Sequence, residues 1–178
     1  TLFALDLNVM ELTVMRRQPQ QFDSDGINVQ QFWTTSADGE RIPYFHVGKN
    51  ATPDTPTLVY AYGGFGIPEL PHYLGSVGKY WLEEGNAFVL ANIRGGGEFG
   101  PRWHQAAQGI SKHKSVDDLL AVVRDLSERG ISSPKHIGLQ GGSNGGLITA
   151  AAFVREPQSI GALVCEVPLT DMIRYPLL

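Results

Sequence analysis

Hydrophobic and polar positions alternate with a period close to two over the first third of the chain, which predicts short strands at residues 2–6, 12–16, 28–35 and 41–47. Ser36, Ala37, Asp38 and Gly39 form a turn between the last two, and a polar, Pro-containing connection covers residues 48–56. From there the pattern changes. TLVYAY at 57–62 reads as a buried strand that runs into Gly63 and Gly64, and residues 73–84 read as a helix stopped by Gly85. AFVLANI at 87–93 is a second buried strand. Residues 115–129 predict the clearest helix, with Asp117 and Asp118 in its first turn, apolar positions at 116, 119, 120, 123 and 126, and Gly130 past its end. HIGLQ at 136–140, an Ala-rich helix at 144–155 and ALVCEV at 162–167 complete the series. Strands alternating with helices and joined by short loops imply an α/β fold with a doubly wound sheet, parallel in this part.

Composition narrows the function classes. With 178 residues, 42% apolar and 18% charged, the chain is that of a folded globular protein. A formal charge of -4 and no basic stripe give nothing for nucleic acid to bind. Cys165 is the single cysteine, so neither an internal disulfide nor a cysteine-based zinc site is available, and a reducing, cytoplasmic setting is favoured. The first residues carry Asp6 and Glu11 inside their apolar stretch, unlike a signal peptide or a membrane span. No metal or cofactor is expected, and no membrane partner.

The candidate chemistry lies between the strand at 136–140 and the helix at 144–155. Gly141-Gly142-Ser143-Asn144-Gly145 fits G-x-S-x-G in the strand-turn-helix context the motif requires. Small residues let a sharp turn lift a serine hydroxyl out of the sheet, so Ser143 is a candidate nucleophile. The backbone N–H of Asn144, at the start of a helix, is a candidate oxyanion donor. A glycine-rich turn in which the serine only caps the helix has the same pattern. A phosphate loop would need Gly-Lys before Ser or Thr, and no lysine is present here. A second glycine run, residues 95–100, satisfies G-x-G-x-x-G, but Pro101, Trp103, His104 and Gly109 separate it from the helix at 115, so it reads as a long loop and not as a dinucleotide turn.

Taken together, YGGFG at 62–66, NIRGGGEFGPRWH at 92–104, SVDD at 115–118, SPK at 133–135 and GGSNGG at 141–146 resemble the prolyl oligopeptidase family of serine peptidases, in co-linear order over about residues 28–178. The resemblance implies an α/β-hydrolase-type sheet, mostly parallel and truncated before its last strands and helices, with residues 1–27 as the tail of a preceding β-propeller or linker. It implies Ser143 as nucleophile, the Asn144 N–H as one oxyanion donor and the Tyr62 hydroxyl as the other. Phe65 matches an aromatic residue of the substrate pocket and Leu169 an apolar one. Read without the resemblance, Tyr62 and Phe65 are equally well core residues at a strand end. Trp103 and His104 match the family without a catalytic role. The substrate implied is a short peptide, cut after proline through an acyl-enzyme.

A hydrolase triad runs Ser, then Asp or Glu, then His along the chain. Here His46, His72, His104, His113 and His136 all precede Ser143, and Asp171, the one aspartate after it, follows too closely and reads as a solvated loop carboxylate. The 178 residues alone are therefore expected to be inactive, and a sheet stopping at 167 is expected to leave an edge open to self-association. An esterase on the same fold and a non-catalytic binding or assembly module are the alternatives.

Overall fold

The computed structural model describes residues 1–177, apart from the side chain of Pro176. Strands β1 (Leu2–Asp6) and β2 (Glu11–Arg16) pair antiparallel as a separate two-stranded sheet whose apolar side chains are exposed. The main sheet has six strands, β3 (Asn28–Thr35), β4 (Arg41–Gly48), β5 (Thr57–Ala61), β6 (Ala87–Ala91), β7 (Ile137–Gly142) and β8 (Ala162–Glu166), in the order β3-β4-β6-β5-β7-β8. β3 and β4 are antiparallel and so are β4 and β6, whereas β6, β5, β7 and β8 run parallel. The α/β, mostly parallel sheet expected from the pattern is present, and β5 lies between the neighbours that follow it in both directions.

That reversal sorts the connections onto opposite faces, since parallel crossovers are right-handed. On one face, helices α3 (His113–Glu128) and α4 (Asn144–Arg155) cover the main core of Ile42, Tyr44, Val59, Val89, Leu139 and Ile148. All five apolar positions read from the periodicity of α3, residues 116, 119, 120, 123 and 126, are buried in it. The other face carries Leu82, Phe88 and Leu90 under the β5–β6 connection. A regular helix over 73–84 does not form there. One α-helical turn, α1 (Gly75–Val77), passes into a π-helical turn at Gly78–Leu82. The Phe22 ring sits where a side chain on Gly78 would be, and Phe22 also stacks on Tyr73, so tertiary packing has replaced the local pattern.

Two further expectations need correction. A five-residue helix, α2 (Pro101–Gln105), starts directly after Gly100 in a stretch read as loop. In addition, α3 begins at His113, two residues before the expected start, so Asp117 and Asp118 lie beyond its first turn. Asp117 pairs with Arg155 of α4, and Asp118 is fully buried against Arg94. These aspartates tie elements together instead of complementing the helix dipole. No helix among the described residues is long and apolar enough to cross a membrane.

His46 on β4 is 5% exposed, its Nε2 finds no partner among the described residues, and burial pushes its pKa down. The unfolded chain takes up a proton near pH 6.5 while the folded chain resists it, so stability is complete above that pH and falls as the pH drops through it. The slope is bounded at about 1.4 kcal/mol per pH unit. Urea midpoints at pH 7.5 and 5.5 should differ less for His46→Leu than for the wild-type chain; an equal difference would remove His46 as the cause.

Candidate active site

The carboxyl ends of β5, β6, β7 and β8 open at one edge of the sheet, where its order reverses and where open α/β sheets hold ligands. Four loops meet there, at Tyr62–Gly66, Asn92–Gly100, Ser143 and Val167–Leu169.

β7 continues through Gly142 and turns sharply at Ser143, which adopts φ 54° and ψ −115° before α4 begins at Asn144. A positive φ is costly for a residue with a side chain, so the surrounding contacts must impose it. The Ser143 N–H donates to the Glu166 carbonyl over 2.9 Å, and the Ser143 carbonyl accepts from Leu147 and Leu169 N–H groups at 3.2 and 3.3 Å. A Cβ on Gly141 would overlap the Gly145 carbonyl, and one on Gly145 would overlap the Ala61 carbonyl. The first and last glycines of the motif are therefore the ones that pack backbone on backbone. A Cβ at Gly142 would meet nothing closer than 3.7 Å.

Asn144 is buried at the head of α4, its N–H among those a helix leaves without an intrahelical partner. Its side chain has a second role that the sequence reading did not contain. Asn144 Nδ2 donates to the Tyr62 carbonyl over 2.6 Å, and the neighbouring Gly64 leaves the room that this side chain fills. Tyr62 itself is half-buried one residue beyond β5, its Cα next to Gly145. The structure thus joins the Tyr62 turn to the Ser143 turn. Phe65 is 61% exposed and is not a core residue. With Gly64, His104, Lys112 and Asn144 it lines a cavity of about 220 Å³ beside the Ser143 turn. Leu169, half-buried, adjoins the site through its backbone bond to Ser143.

The glycine run at 95–100 serves loop packing. A Cβ on Gly95 would overlap the Gly63 carbonyl and one on Gly97 the Gly66 carbonyl, while Gly66 N–H donates to the Gly95 carbonyl at 3.1 Å. The space a phosphate would need is filled by the Tyr62–Gly66 loop. Trp103 Nε1 anchors the following helix to the Ile93 carbonyl at 3.1 Å.

His104 is the histidine of this cavity, and both of its nitrogens are engaged. Nδ1 lies 2.8 Å from the Gly95 carbonyl, which can only accept, so Nδ1 carries the proton; Nε2 then accepts from Gln108 Nε2 at 2.8 Å. No histidine hydrogen-bonds Ser143 among the described residues. Asp171 is exposed and paired with Arg174, as expected of a loop carboxylate. Lys112, which the sequence reading passed over, donates from Nζ to the Gly63 carbonyl at 2.8 Å. No local signal marks it, because its acceptor is a backbone atom far away in the chain.

A serine on a strained strand-to-helix turn, at the carboxyl edge of a mostly parallel sheet ordered in this way, is the arrangement of an α/β-hydrolase fold. The family model described as the prolyl oligopeptidase family matches residues 74–178, and the chain belongs to that family. An uncharacterized peptidase of Sinorhizobium fredii is 44% identical over 98% of this chain and 24% of its own length, and the prolyl endopeptidase of Elizabethkingia meningoseptica is 32% identical over 98% and 25%. Among solved structures, a post-proline cleaving enzyme from Rickettsia typhi superimposes with a TM-score of 0.90 at 42% identity, covering 97% of this chain and 25% of that one. The chain spans about a quarter of the length of the curated relatives it matches.

Proposed function

We propose that this chain is the nucleophile-bearing part of a serine peptidase that hydrolyses short peptides after proline, and that it works in the cytoplasm, where Cys165 needs no disulfide partner. Ser143 attacks the peptide carbonyl, the Asn144 N–H and the Tyr62 hydroxyl hold the oxyanion, and Phe65 and Leu169 border the substrate. The observation that carries this reading is the strained Ser143 turn, locked by Gly141 and Gly145 and tied through Asn144 to the Tyr62 turn. The preference for proline follows from the names of the relatives. The acid and the base come from residues outside these 178, since His104, the histidine that lines the cavity with Asn144, has both nitrogens occupied.

The test compares the full-length protein with residues 1–178 alone, on a proline-containing peptide ester. The full-length protein should release a burst of product, labelling Ser143 as an acyl-enzyme detectable by peptide mass. The isolated segment should release none, because a serine hydroxyl without a base is a weak nucleophile at neutral pH. A burst from the segment that Ser143→Ala abolishes would overturn the requirement for outside residues, and an unlabelled Ser143 in the active full-length protein would overturn the assignment.

A further inference from the structure

We propose that Lys112 is a positioning residue for this reaction, holding the Tyr62–Gly63–Gly64 turn in the conformation that presents the Tyr62 hydroxyl to the oxyanion. The inference rests on the Ser143 peptidase reading above.

The backbone of the turn makes the case. Gly63 and Gly64 are buried, so their carbonyls must find partners within the protein. Three successive carbonyls are satisfied from three different places. Tyr62 O accepts from Asn144 Nδ2 at 2.6 Å, Gly63 O from Lys112 Nζ at 2.8 Å, and Gly64 O from the Ile67 N–H at 3.0 Å. The middle one sits on the residue with least conformational preference of its own: Gly63 has φ +57°, and a Cβ there would run into Ile93. Asn144 fixes the turn from the nucleophile side and Lys112 from the opposite loop. With the Lys112 bond removed, the buried Gly63 carbonyl is left without its donor, and the turn between Tyr62 and Gly64 loses the contact that sets it from the Lys112 side.

Lys112 is itself held in place. It ends the 3₁₀ turn Gly109–Lys112 and directly precedes α3, whose Ser115 Oγ donates to the Arg94 carbonyl at 2.7 Å and whose Asp118 pairs with the Arg94 side chain. No carboxylate among the described residues lies within ion-pair distance of Nζ, and burial pushes its pKa down to about 8. The amine therefore shares the cavity of Gly64, Phe65 and Asn144 with no counter-charge of its own. A cation there adds to the neutral Asn144 N–H and Tyr62 O–H donors in favouring negative charge on the substrate oxygen.

The experiment uses the full-length peptidase, a proline-containing peptide amide, and a peptide aldehyde whose serine adduct places an oxyanion in the same position. Lys112→Met should lower kcat by about 10- to 100-fold, below the loss from deleting a direct oxyanion donor. KM should stay within about twofold, and aldehyde affinity should fall by the same factor as kcat. Lys112→Arg should recover most of both. Should the Met variant fail to fold, Lys112→Gln, one bond shorter and still polar, is read in its place. An active wild-type enzyme with kcat and aldehyde affinity unchanged in the Met or Gln variant overturns the role of Lys112 alone. A wild-type enzyme without Ser143-dependent turnover overturns the peptidase reading and this inference with it.

Discussion

Ser143→Ala in the full-length protein is expected to lower kcat on a proline-containing peptide amide by about 10⁴- to 10⁶-fold with KM little changed, because it removes the attacking atom and leaves the binding surface intact. Ser143→Gly should lose as much. The two variants should part in stability. At φ 54° and ψ −115° the Ser143 backbone lies where a Cβ is strained, at a cost of about 1–3 kcal/mol. Alanine keeps that strain and glycine relieves it, so the glycine variant should unfold at a higher urea concentration than the alanine variant, by about 1 kcal/mol. The turn will not relax by itself, since the Glu166 and Leu169 backbones and the Gly141–Gly145 contact hold it. More than a hundredth of wild-type kcat in the alanine variant would refute Ser143 as nucleophile. Equal stability of the two variants would refute the strain.

The largest loss of stability should come from Asp118→Ala. Its carboxylate is fully buried and accepts from the Arg94 Nε at 2.9 Å, the Arg94 Nη2 at 2.6 Å, the Arg94 backbone N–H at 2.9 Å and the Ser36 hydroxyl at 2.6 Å. The Arg94 side chain is 3% exposed. Removing Asp118 strips the buried guanidinium of its fully desolvated partner and leaves it only the partly exposed Asp38, a loss of up to about 3–5 kcal/mol. Asp38 also meets Arg94, at 2.7 and 2.9 Å, and the guanidinium holds its carboxyl well below the usual carboxylate range. With its side chain 39% exposed, solvent screens much of that attraction, and Asp38→Ala should cost about 1 kcal/mol or less. Chemical unfolding of both variants in the full-length protein decides the matter. An Asp118→Ala loss no larger than that of Asp38→Ala would mean that the buried pair does not hold these loops.

What could be read from sequence divides along the range of the interactions. Strand and helix order followed from local periodicity, and the motif around Ser143 from spacing and context. Phe65, ambiguous between core and pocket on sequence alone, is exposed beside the Ser143 turn. The misreadings share a cause. The helix over 73–84 gave way to a π turn because Phe22, far away in sequence, packs against Gly78. Asp118 looked like a dipole partner because Arg94, 24 residues back, cannot be paired with it by spacing. The side-chain role of Asn144 and the bond from Lys112 were invisible for a stronger reason. Their acceptors are backbone carbonyls, which every residue carries, 82 and 49 residues away.

The 82-residue separation between Tyr62 and Asn144 also sets a timetable for synthesis. The ribosome makes the Tyr62 turn first, and at about 5–20 residues per second roughly 4 to 16 s pass before the Ser143–Asn144 turn that braces it emerges. For most of that interval one side of β5 has no strand to pair with, since β6 pairs on its other side and β7, Ile137–Gly142, is made only near the end. The nascent chain therefore carries an open, apolar strand edge at what will become the centre of its sheet, and chaperones that shield such edges would find their longest opportunity there.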